Sequence, residues 1–166
     1  MFRYLFLCCL LLVAAPAVFA QQYLLPNEER IFSFDTRNGK KVMLAKDKGD
    51  AYIIYRFGTA GKIEFEFPGK TKDSWKQLKY AFWLRGGGPQ NEGIDLNYVS
   101  FSNKGYTYVI YDTYRAVGEL QRVGIKVIDN ATKKETDIPG NLKSRKGNII
   151  DLRENTLIEK GDELFD

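Results

Sequence analysis

The chain has 166 residues, with 25 Lys and Arg against 21 Asp and Glu, a formal net charge of +4, two cysteines and no histidine. The missing imidazole excludes Ser-His-Asp and Cys-His centres and histidine-built zinc sites, all of which need that ring. Charges are interspersed apart from small clusters such as Lys70-Thr71-Lys72 and Lys143-Ser144-Arg145-Lys146, a pattern that predicts a solvated surface and no nucleic-acid partner.

Residues 1–20 read as a cleaved secretory signal peptide. Arg3 and the terminal amine give a positive start, Leu5 to Val13 is a short apolar run, and Ala14 to Ala20 is rich in small residues, the three-part layout of an export signal. A spanning helix needs about 20 apolar residues, and Pro16 interrupts this run. Cys8 and Cys9 leave with the leader. The expected mature chain, 21–166, is a single cysteine-free β domain in the periplasm or outside the cell, with no transmembrane segment. At about 146 residues it can bury roughly 68–70% of its unfolded surface and needs no disulfide.

Beyond a polar lead, apolar residues alternate with period two, the signature of half-buried strands. Arg30 to Thr36 and Lys41 to Ala45 are predicted strands joined by a two-residue Asn38-Gly39 turn with both residues at positive φ. Ala51 to Gly58 and Ile63 to Phe67 follow. Lys70 to Gln77 is predicted as a helical turn capped by Asp73 or Ser74. Leu78 to Leu84, Ile94 to Phe101, Tyr106 to Tyr114, Gln121 to Ile128 and Lys133 to Ile138 complete the long strands. Ile149 to Leu152 and a short element near Leu157-Ile158 close the chain. Nine or ten short strands separated by turns predict an all-β fold, a single antiparallel β-sandwich or barrel.

No calcium loop of the Asp-x-Asp-x-Asp-Gly type, no phosphate loop and no Gly-x-Ser-x-Gly elbow occurs, so neither a metal nor a cofactor is expected. Carboxylates remain: Glu64 and Glu66 share one strand face, and Asp95 and Asp112 fall on strands that should pair. They allow a two-carboxylate hydrolase, or are the wet side of half-buried strands. Tyr106, Tyr108, Ile110, Asp112 and Tyr114 share a face, while Trp83 and Arg85 point opposite to Phe82. Such rings either stack on a sugar or partner, with Trp83 or Trp75 as platform, or pack across strands.

The least ordinary segment is Arg85-Gly86-Gly87-Gly88-Pro89-Gln90-Asn91-Glu92-Gly93. Three successive glycines are entropically expensive to fix, which implies either a close backbone approach or a slack loop. The predicted contact surface is Arg85, Gly86, Gly87, Gly88, Asn91 and Glu92 with Trp83 beside them. Arg85 is the expected anchor, because a guanidinium pairs two-pronged with a carboxylate.

Through Phe32-Ser33-Phe34, Gly39-Lys40, Tyr55-Arg56-Phe57-Gly58, Arg85-Gly86-Gly87-Gly88 and Asn91-x-Gly93-x-Asp95-Leu96-Asn97-Tyr98, the chain resembles a set of small exported bacterial β-domain proteins. Some of these carry a cysteine pair near the positions of Phe34 and Ala45, which this chain lacks. The resemblance implies export and a β fold and carries no activity. In size, compartment and fold class the chain is also similar to periplasmic lysozyme inhibitors and toxin-immunity proteins. The expectation is a non-enzymatic binding protein of the cell envelope that meets a hydrolase or toxin. A carbohydrate- or peptidoglycan-binding module is the alternative, followed by a carboxylate-dependent hydrolase.

Overall fold

The period-two alternation becomes two stacked sheets. A computed structural model describes residues 22–165; the expected leader lies outside the described residues. Strands β1 (Glu28–Asp35), β2 (Lys41–Asp47), β3 (Ile53–Thr59) and β4 (Lys62–Phe67) form a meander. After it come β5 (Lys79–Arg85), β6 (Ile94–Asn103), β7 (Tyr106–Arg115), β8 (Leu120–Asp129) and β9 (Glu135–Pro139), then the two-residue strands β10 (Lys146–Gly147) and β11 (Glu159–Lys160). The sheets run β10-β1-β2-β3-β4 and β11-β5-β6-β7-β8-β9. Neither closes on itself, so the fold is a sandwich and not a barrel. Among the named strands only β11 pairs in parallel, with β5.

Odd and even positions divide as alternation requires. Phe32, Phe34, Val42, Leu44, Ile53 and Tyr55 from the first sheet meet Tyr80, Val99, Phe101, Ile110, Val123 and Ile125 from the second. Aromatic pairs fill the space between them, with Phe67 and Phe101 stacked at 4.6 Å and Phe101 and Tyr108 at 5.1 Å. Burial of these rings supplies much of the stability of the sandwich. The Tyr106–Tyr114 face is therefore mostly interior: Ile110 and Asp112 are buried, and only the end residues Tyr106 and Tyr114 are exposed.

Four local expectations change. At Asn38-Gly39 only Gly39 has positive φ, at 80°. Its N–H donates to Thr36 O at 3.0 Å and Thr36 N–H to Lys40 O at 2.7 Å, a three-residue loop closed by a left-handed glycine. The helical turn is a 3-10 segment, Lys72–Gln77, preceded by Thr71 without a side-chain cap. Ser74 lies inside it, and its Oγ accepts from Ile53 N–H at 2.9 Å; a buried strand amide has taken the hydroxyl that was expected to cap. Ile149–Leu152 is also 3-10, started by Asn148, whose side chain accepts from Ile150 N–H at 3.2 Å. The short element expected near Leu157-Ile158 is a strand at Glu159–Lys160, just past Ile158, which drops into the core.

Candidate functional site

The β5–β6 loop is closed by its own backbone. Gly93 N–H donates to Gly88 O at 2.8 Å and Glu92 N–H to Pro89 O at 3.1 Å, while Ala116 N–H reaches Gly93 O at 2.7 Å and ties the loop to the β7–β8 connection. Gly87 sits at φ 96°, where a Cβ would come within 2.1 Å of Asn91 Nδ2. The close approach served by this glycine is thus to Asn91, folded across its own loop. Arg85 lies against the same loop: Nε and Nη2 donate to Glu92 O at 3.1 and 2.8 Å, and Nη2 pairs with the Glu92 carboxylate at 3.1 Å. Arg85 accordingly acts first as the loop's clamp while staying half exposed.

Around this loop the surface turns apolar. Phe82 is 43% exposed, Trp83 52%, Leu84 55%, Val117 55% and Leu120 47%. Sheet register places Arg85 opposite Ile94, Ile94 opposite Arg115 and Arg115 opposite Leu120. One row across four strands therefore alternates cation and aliphatic on the outer face, with Val117 above it. These residues line a shallow hollow beside Glu92 and Gly93. Sequence reading found Trp83 and the loop but missed Phe82, Leu84, Val117 and Leu120, whose exposure depends on strand neighbours that no local pattern reveals. Trp75 is no platform: it is 3% exposed, and its Nε1 donates to Asp50 O at 2.9 Å. The 3-10 segment turns its ring into the core.

Each candidate carboxylate has a cationic partner. Glu64 meets Lys40 at 2.5 Å and Glu66 meets Arg56 Nε at 2.7 Å. Asp95 pairs with Arg153, which also donates to Asn97 Oδ1 at 3.0 Å. Asp112 Oδ2 lies 2.6 Å from Arg145 Nη2, an ion pair without hydrogen-bond alignment. Burial pushes the Asp112 carboxyl above its ordinary range, against the opposing pull of Arg145. Asp95 and Asp112 both face the sheet interface, where their pairing closes one end of the core. Among the described residues no three His, Cys, Asp or Glu side chains gather to hold a metal ion, and no helix is long and apolar enough to cross a membrane.

No protein-family model, curated protein or solved structure matches this chain. Its functional reading rests on geometry.

Proposed function

We propose that this chain is an exported, non-enzymatic binding protein of the cell envelope, and that the loop end of its second sheet holds a protein partner, a cell-wall-active hydrolase or a secreted toxin. The observation carrying the reading is the row Arg85, Ile94, Arg115, Leu120, which crosses the outer face in register beside the clamped loop. Guanidinium groups set between aliphatic side chains suit a cleft that presents catalytic carboxylates among apolar walls. A loop already closed by hydrogen bonds loses little further entropy on docking. The neutralisation of Glu64, Glu66, Asp95 and Asp112 by cations supports binding over carboxylate catalysis.

The half-exposed Trp83 ring supports a second reading, glycan binding by stacking. One set of measurements separates the readings: titration of the mature chain against a purified glycan-strand hydrolase, and retention on insoluble peptidoglycan. The first reading expects binding with loss of hydrolase activity, and replacement of Gly86–Gly93 by an Asn-Gly turn weakens it by at least ~2 kcal/mol. Retention on glycan, reduced in Trp83→Ala without any hydrolase binding, would establish the second instead. Turnover of glycan by the chain alone, abolished in Asp112→Asn, would make it an enzyme.

A further inference from the structure

The edge of the second sheet has a gap. Strand β6 pairs with all of β5, from Lys79 opposite Ser100 to Arg85 opposite Ile94. On its other side β5 is covered, among the described residues, only at Lys79 and Tyr80, by β11. Gly161 N–H donates to Tyr80 O at 2.9 Å, so the backbone polar groups of Tyr80 point away from β6. Alternation along the strand turns those of Phe82 and Leu84 the same way. Phe82–Arg85 is thus an open edge bearing three large exposed apolar side chains, the kind of edge that folded proteins ordinarily blunt with charge, proline or a covering segment.

We infer that this edge is an interface with a second copy of the chain, in which two β5 strands pair antiparallel about a two-fold axis at Trp83. That register sets Phe82 opposite the second copy's Leu84, so the two outward-facing residues exchange N–H···O bonds twice over the axis. Ala81 then faces the second copy's Arg85. The next step would set Tyr80 opposite Gly86, and both ends stop the ladder there: β11 fills the slot at Tyr80, and the chain leaves the strand at Gly86 for the left-handed Gly87 and Gly88. The same stop serves both copies, as an isologous contact requires.

The tail after β11 turns over the Lys79 end of the strand: a Cβ at Gly161 would lie 3.6 Å from that of Lys79, and Glu163 lines a hollow with Lys79, Ser100 and Thr107. The two Trp83 rings meet at a non-hydrogen-bonded pair, the closer spacing of an antiparallel ladder. Because the axis stands perpendicular to the sheet, the two outer faces become continuous, with a loop row at each end. This assembly is independent of which partner that face holds.

Sedimentation of the mature chain across a micromolar to high-micromolar series tests it without any partner present. The expected mass shifts from one copy to two as concentration rises. Leu84→Pro removes an N–H that faces away from β6, and Leu84→Lys places a charge on the edge. Each raises the dimer dissociation constant at least about tenfold, whereas Leu142→Lys, at an exposed apolar residue elsewhere, leaves it unchanged. Amide exchange at Phe82 and Leu84 slows as the dimer forms. A single-copy mass at every concentration overturns the inference, as does a dimer whose Phe82 and Leu84 amides exchange as fast as in the monomer.

Discussion

Arg56 grips Glu28 with both arms of its guanidinium, Nη1 to Oε2 at 2.6 Å and Nη2 to Oε1 at 2.7 Å, in a site where both side chains are essentially inaccessible. Nη1 also donates to Tyr23 O at 2.8 Å and Nε to Glu66 at 2.7 Å. Glu28 further accepts from Leu25 N–H at 2.8 Å and Tyr52 OH at 3.0 Å. The segment before β1 is thereby fastened onto the outer face of the first sheet, where Tyr23, Met43, Ala45, Tyr52 and Ile54 form a second core. With its lone pairs occupied, this pair is hard to break from one side: Glu28→Gln should destabilise by about 3–5 kcal/mol, because it leaves a buried guanidinium short of its counter-charge. Replacing both residues with apolar ones should recover much of the loss. Urea melts of the single and double variants check both outcomes.

Acid should reveal the same pair. Burial alone would raise the Glu28 carboxyl, but the Arg56 bonds, the Leu25 amide and Arg56 charge outweigh it and hold it below its ordinary range. A depressed folded value means that the stabilisation is complete above the unfolded carboxylate range and is lost as pH falls through the folded value. Stability should decline below about pH 4.3, and Glu28→Gln should flatten part of that decline. An unchanged acid limb in the variant would assign the pH dependence to other carboxylates.

Asp112 should act in the opposite direction. Its folded carboxyl is raised by burial, so the folded state binds its proton more tightly than the unfolded chain does. Its charged form is a net burden at neutral pH, and the burden lifts as pH falls through the raised value towards the unfolded one. Asp112→Asn should leave the melting temperature at neutral pH unchanged or higher and should remove this rise on mild acidification. A clear loss of stability at neutral pH would show that the Arg145 contact outweighs desolvation.

The two tryptophans should separate by quenching. Trp75 is enclosed and Trp83 is half exposed, so acrylamide should quench one emitting population and spare a bluer one. Trp83→Phe should delete the quenchable component at little cost in stability. Trp75→Ala should cost about 3–5 kcal/mol.

The contrast between these rings shows where sequence reading stops. The nine long strands were legible because apolar and polar residues alternate along them, and the same alternation separates Phe82 from Trp83 and Arg85. The fate of Trp75 was not legible, since it depends on Ser74 finding the Ile53 amide across 21 positions of chain. The β11 strand has two residues and no pattern, yet where it stops decides that Phe82–Arg85 is an open edge. Arg56 and Glu28 sit 28 positions apart, on strands separated in the sheet by β2. Each missed feature is a long-range pairing of side chain or edge, and period-two reasoning describes one strand at a time.

The loop offers the last test, at Gly87. Its φ of 96° lies where a side chain is strained, and an added Cβ would meet Asn91 Nδ2 at 2.1 Å and Asn91 Cβ at 2.9 Å. Gly87→Ala should therefore disturb the loop in two ways, by backbone strain on the order of 1–3 kcal/mol and by expelling Asn91 from its fold across the glycine. Gly86 and Gly88 differ, with open space around their Cβ positions, so Gly86→Ala should be nearly silent. The sheet should survive both changes, because the loop's ties to it are the Arg85 clamp on Glu92 and the Ala116 bond to Gly93. Amide exchange at Asn91, Glu92 and Gly93 reports loop closure directly and should accelerate in Gly87→Ala but not in Gly86→Ala. Equal exchange in the two variants would mean that the Asn91 contact does not hold the loop. If the closed loop is what a partner meets, weakened binding should follow the exchange rates and not the melting temperatures.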